Sequence, residues 1–89
     1  MNALSKANQI KKLAINAAND CINNYKYFGR QFDNLLEEGD GDQVVIEFIK
    51  IYNIDPELQK AVGKLTHWIP IEAWLKFYKE WERKTPTLF

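Results

Sequence analysis

Apolar residues recur at helical spacing from about Ser5 to about Leu36. With successive residues about 100° apart around an axis, Ala7, Ile10, Ala17, Ala18, Cys21, Tyr25, Phe28, Phe32, Leu35 and Leu36 fall within about 60° of Ala14. Strand alternation cannot produce this pattern. The first half of the stripe is small (Ala7, Ala14, Ala17, Ala18) and the second half is large (Tyr25, Phe28, Phe32, Leu35). Gly29 interrupts it, at a cost of roughly 1 kcal/mol relative to alanine. The apolar phase is the same on both sides of Gly29, which predicts one long helix bent there, not two helices with a reset phase. Unbroken, that helix would be about 48 Å long.

Glu38-Gly39-Asp40-Gly41-Asp42 is the clearest turn signal. Gln43–Ile54 is rich in β-branched residues (Val44, Val45, Ile46, Ile49, Ile51), as strands are. Its polar positions, Gln43, Glu47, Lys50 and Asn53, are three or four apart, and the segment reads as a helix with Val44 and Ile51 on its polar side. Asp55-Pro56-Glu57 is a helix start, with a capping aspartate, proline at the first helical position and an acid in the positive first turn. From Pro70 to Lys84, Ile71, Trp74, Leu75, Phe77, Tyr78 and Trp81 share one face, opposite Glu72, Lys76, Lys79, Glu80 and Arg83. Large side chains on this last helix would fill the space left by Ala14, Ala17 and Ala18. The expected fold is an all-α bundle of about four helices in a single domain over residues 1–89, with the N-terminal helix as its spine.

The 89 residues are 46% apolar and 13% aromatic, which suits a packed globule of modest core. No apolar run approaches the roughly 18 residues of a membrane span, and no secretory apolar segment follows Met1. The single cysteine allows no internal disulfide. A cytoplasmic protein without membrane contact is expected. Net charge is zero but segregated: residues 1–31 carry +4, residues 32–58 carry −7 and residues 59–89 carry +3. The simplest consequence is that the acidic middle neutralises both basic ends inside the fold.

No catalytic, metal or cofactor signature is present. His67 and Cys21 stand far apart in sequence, and Cys21 lies on the apolar stripe, where a thiol is inert. The Gly39–Asp42 stretch fails as a calcium loop, because Gln43 and Ile49 would occupy its obligatory glycine and glutamate positions. It also lacks the lysine and hydroxyl of a phosphate loop.

Opposite the apolar stripe, Asn8, Lys12, Asn16, Asn19, Asn23, Lys26, Tyr27 and Arg30 form a face without acids, of a chemistry that can touch phosphates and bases. Leu13, Ile15 and Ile46 are apolar residues that one layer of neighbours would leave uncovered. Trp68, in a connecting segment, is the tryptophan expected to be partly exposed, and such residues dominate binding hot spots. Thr87-Leu88-Phe89 resembles short carboxy-terminal docking peptides ending in Leu-Phe. One such family binds bacterial sliding clamps, although its leading glutamine is missing here.

These features point to a non-enzymatic interaction module, a small regulator or inhibitor docking on a larger protein or complex. Small inhibitors carried by phages and mobile elements fit this description, so a bacterial defence or nucleic-acid-processing machine is the expected target class. The alternative is a nucleic-acid-binding accessory protein, and a second copy of the chain is a further candidate partner. The expected contact residues are Lys12, Asn16, Asn23, Lys26, Tyr27, Arg30 and Trp68.

Overall fold

A computed structural model describes residues 2–19, 25–37 and 39–84. Among them are five helices and no strand: α1 (Ala3–Asn19), α2 (Tyr25–Leu36), α3 (Gly41–Ile54), α4 (Pro56–Lys64) and α5 (Ile71–Lys84). The all-α expectation holds, with one more helix than expected.

The extra helix comes from the expected spine. α1 and α2 pack against each other. Two halves of one straight helix cannot do so, because residues six apart already lie about 9 Å apart along the axis. The axis therefore changes direction between the two helices. Gly29, the expected bend, instead lies inside α2 and is buried. Turning lets both halves of the stripe face one core, where Ala7, Ile10, Ala14 and Ala17 of α1 join Phe28 and Phe32 of α2. That shared core is also why the apolar phase is the same in both helices.

The element at the centre is α3. It packs against α1, α2, α4 and α5, and it buries Val44, Val45, Ile46, Phe48 and Ile49. A helix enclosed on several sides is apolar nearly all round. Hence Val44, assigned to a polar side, is fully buried, and Ile51 is half-buried. Ile46, expected to be uncovered, is only 2% exposed. The β-branched composition that resembled a strand belongs to this central helix.

The small-residue face of α1 receives α3 and α4, not α5 as expected. α5 lies on α3. It is tied there by Trp74, which stacks on Phe32 of α2 (ring centroids 5.4 Å apart) and meets Phe48 of α3 edge-on (5.5 Å). Phe32 also stacks on Phe28 at 5.5 Å, so one aromatic row joins α2, α5 and α3.

Capping follows local chemistry. Asn2 accepts from the Ser5 amide at 2.8 Å and starts α1. Asp55 accepts from the amides of Glu57 (3.0 Å) and Leu58 (3.2 Å) and starts α4, with Pro56 in the first turn. Asp40 stands at the N-cap of α3, but its side chain makes no capping bond. That carboxylate accepts instead from the Lys6 ammonium, at 2.7 Å. Lys6 is 3% exposed, so an ionised neighbour offsets the desolvation of its charge. Five residues along α1, Lys11 reaches Asp55 at 2.6 Å. Two lysines of one helix thus hold the residues flanking both ends of α3. They realise, inside the fold, part of the neutralisation expected from the segregated charges.

Both carboxylates titrate below the ordinary aspartate range. The hydrogen bond from Lys6 is the main cause at Asp40, and that from Lys11, followed by the Leu58 amide, at Asp55. A depressed folded-state pKa gives stability that is present above the unfolded value, near 3.8, and is lost as pH falls through the folded value. Urea midpoints should therefore fall on acidification below about pH 4. In the Asp40→Asn/Asp55→Asn double variant the midpoint at pH 7 should be lower and the acid slope flatter. An unchanged acid slope would remove these two pairs from the account.

Candidate docking surface

Among the described residues, no three His, Cys, Asp or Glu side chains are placed to hold a metal ion. His67 is exposed in the α4–α5 connection, and Cys21 lies outside the described residues. The tight turn at Gly39–Gly41 has a conformational basis: Gly39 has φ +89°, and a Cβ on Gly41 would lie 2.7 Å from the Leu36 carbonyl oxygen.

The residues expected to form one continuous polar face are divided between two helices. Lys12 and Asn16 are exposed on α1, together with Asn8 and Asn19. Asn8 donates to the Leu4 carbonyl of its own helix, at 3.1 Å. Arg30 is exposed on α2. Asn23 and the side chains of Lys26 and Tyr27 lie outside the described residues, as does the Thr87-Leu88-Phe89 tail. Because α1 and α2 are separate helices packed against each other, the face is no single stripe.

Trp68 is 37% exposed. It is presented from a short turn fixed by its neighbours: Leu65 and Ile69 are fully buried, and the Leu65 carbonyl accepts from the amides of both Trp68 and Ile69 at 2.9 Å. The six-membered ring of Trp68 rests on α2 at Gly29. A Cβ built there would come within 2.6 Å of Cζ3 and 2.9 Å of Cε3. Glycine at this point of the helix is explained by the indole that leans on it.

Gly29→Ala should therefore push the Trp68 ring outward. Overpacking of roughly 1–3 kcal/mol is offset by about 1 kcal/mol of helix propensity, for a net loss near 1 kcal/mol. The Trp68 indole N–H resonance should shift while helical circular dichroism stays constant. A variant more stable than the parent, with that resonance unmoved, would show that the contact is loose.

Leu13 and Ile15 are half-buried, and Leu13 packs on the core. Among the described residues, the large exposed apolar ones are Leu4, Trp68 and Ile54, the last 81% exposed at the end of α3. The least covered element is α5. None of its residues is buried, although Ile71, Trp74, Leu75, Phe77, Tyr78 and Trp81 are each half-buried.

Trp74 meets Phe48, while Trp81 and Lys84 share a cleft with Asp42 and Gln43. The two helices therefore run in opposite directions. The cleft between them holds about 340 Å³ and is lined by Asp42, Gln43, Ile46, Phe77, Glu80, Trp81 and Lys84. Tyr78 packs on Trp81 with ring centroids 5.6 Å apart. The Lys50 ammonium stands 5.4 Å from the Trp81 ring centroid, a favourable cation–π distance.

Sequence reasoning missed this cleft. It singled out Ile46 as a surplus apolar residue, but nothing local to Ile46 tells that Trp81 lies opposite. No protein-family model matches the chain, nor does any curated protein or solved structure. No helix among the described residues is long and apolar enough to cross a membrane.

Proposed function

We propose that this chain is a non-enzymatic interaction module that docks on a larger protein, as a small regulator or inhibitor. The observation that carries this reading is α5. It presents six large apolar side chains and completes the burial of none. Apolar surface left in water retains a driving force of roughly 25 cal/mol per Å² for association. Tryptophan and tyrosine are the residue types that concentrate binding energy in interface centres, and Trp68, Tyr78 and Trp81 all reach the surface. The proposed target class is a bacterial defence or nucleic-acid-processing machine, the kind of target that small inhibitors of this description take.

The second reading, nucleic-acid binding, is favoured by the exposure of Lys12, Asn16 and Arg30. It is weakened by Lys6 and Lys11, whose charges are engaged by Asp40 and Asp55. One experiment separates the two. Tagged protein is used to capture partners from host lysate, half of it treated with nuclease. A stoichiometric protein that survives nuclease, and is lost on Trp68→Ala or on Tyr27→Ala with the helical signal intact, is the expected result. A partner set that disappears with nuclease, and with Lys12, Lys26 and Arg30 all changed to Glu, would replace the docking reading with the nucleic-acid one.

A further inference from the structure

The α3–α5 cleft has the chemistry of a specific partner. Ile46 is nearly buried, while Phe77 and Trp81 are half-buried, so the cleft combines an apolar base with two aromatic walls. Its volume lies within the range of sites that take up a large side chain. Four charged or amide residues edge it: Asp42 and Gln43 from α3, Glu80 and Lys84 from α5, all exposed. Gln43 donates to Glu47 at 3.4 Å. Glu80 stands four residues before Lys84, a spacing that favours an ion pair, yet no such pair forms. Neither the Asp42 nor the Glu80 carboxylate makes a hydrogen bond or an ion pair among the described residues.

The start of α3 is also the most acidic part of the chain. Residues 37–42 carry Glu37, Glu38, Asp40 and Asp42 and no base. Asp40 is held by Lys6, while Glu37 and Asp42 make no ion pair among the described residues. Of the three charged residues that line the cleft, Asp42 and Glu80 are acidic and Lys84 is basic, so the lining carries an acidic excess. The Lys50 ammonium that stands over Trp81 is paired with Glu47 at 3.5 Å, so together they add no net charge beside the cleft.

We propose that this cleft binds a basic amphipathic segment of a partner protein. A large apolar side chain of that segment lies on Ile46 between Phe77 and Trp81, and an arginine or lysine beside it pairs with Asp42 and Glu80. The proposal deepens the docking reading and rests on it. Charge complementarity selects the occupant: a neutral apolar peptide would leave both carboxylates unused, and an acidic one would be repelled.

The test is selection from a random peptide library displayed on phage, using the purified chain and, in parallel, its Asp42→Lys/Glu80→Lys variant. Both positions are exposed, so the variant should keep the parent circular dichroism. Enriched peptides should place Leu, Phe or Trp within one helical turn of Arg or Lys. A synthetic copy of the leading peptide should shift the Trp81 indole N–H and the Ile46 amide saturably in nuclear magnetic resonance spectra. It should bind the charge-reversed variant at least about tenfold more weakly, as expected for loss of a charge-paired contact.

Enrichment of acidic or wholly neutral peptides, equal affinity for the variant, absence of any enriched peptide, or shifts centred on Trp68 would overturn the proposal. Trp81 shifts that appear on concentration alone, with a dimer in sedimentation, would assign the cleft to a second copy and overturn it too. If the lysate still yields a nuclease-resistant partner after any of these outcomes, the docking reading stands and only the cleft assignment falls.

Discussion

Replacing Phe48 with alanine should lower the unfolding free energy by roughly 3–5 kcal/mol, the usual cost of removing a fully enclosed phenyl ring. Phe48 is fully buried in α3. Its ring is the contact through which the central helix holds Trp74, and Trp74 in turn stacks on Phe32. The substitution therefore opens a cavity and removes one end of the aromatic row that fastens α5. Domains of this size are stable by only about 5–15 kcal/mol, so the loss is a large part of the total. Urea titration followed by far-ultraviolet circular dichroism measures it. Amide exchange adds a second expectation: protection should fall further in α5 than in α1, because α1 packs on α3 and α4. A loss under about 1.5 kcal/mol, within the range of a conservative swap, would mean that the core closes over the vacancy and that α5 is held by other contacts.

Gly41→Ala should cost roughly 2–3 kcal/mol, at the upper end for overpacking. The new methyl would meet the Leu36 carbonyl oxygen at 2.7 Å. That oxygen belongs to the backbone, so it cannot rotate aside as Trp68 can at Gly29. Relief requires the end of α2 to move away from the start of α3. The movement would also displace Asp40, one residue earlier, from the Lys6 ammonium. Gly39→Ala is the informative comparison. Nothing lies within 4 Å of its absent Cβ, but its φ is +89°, so the cost there is backbone strain of about 1–2 kcal/mol. Asparagine, which tolerates left-handed conformations, should recover part of the stability at position 39 and none at position 41. Thermal melts of Gly39→Asn and Gly41→Asn check this directly. Equal midpoints for the two would remove the distinction between strain and steric contact.

The parts of the fold that could be read from sequence are those decided within a few residues. Asp55-Pro56-Glu57 starts α4 because a carboxylate, a fixed φ and an acid near free amides act locally. Pro70 and the clean apolar face likewise mark α5 to within one residue. The all-helical class follows from polar spacing, which survived even in the β-branched α3. What could not be read is which helix touches which.

The position of α3 at the centre depends on neighbours from both sides in sequence, and its surplus of apolar residues looked like an irregular pattern. That the spine is two helices was hidden because both face one core and keep one phase. At the candidate surface, the partial exposure of Trp68 was legible from its place in a connection. The reason for Gly29 was not, since thirty-nine residues separate it from the indole it accommodates. The α3–α5 cleft was invisible for the same reason: its walls are ordinary core-type aromatics until the antiparallel pairing sets them beside Asp42.

The packing of α1 on α3 and α4 also bears on how the chain is made. Ribosomal synthesis runs from the N-terminus, so α1 emerges with its main partners still unmade. At about 5–20 residues per second, the 45 residues from Asn19 to Lys64 take roughly 2–9 s to follow. During that interval the nascent helix carries an apolar stripe that only α2 and then α3 begin to cover. Its buried apolar positions are Ala7, Ala14 and Ala17 with a single isoleucine, Ile10. The large aromatics, Phe28, Phe32, Phe48 and Trp74, all come later, nearer in synthesis to the neighbours that receive them. The segment that waits longest is thus the one that offers chaperones, proteases and other nascent chains the least to hold.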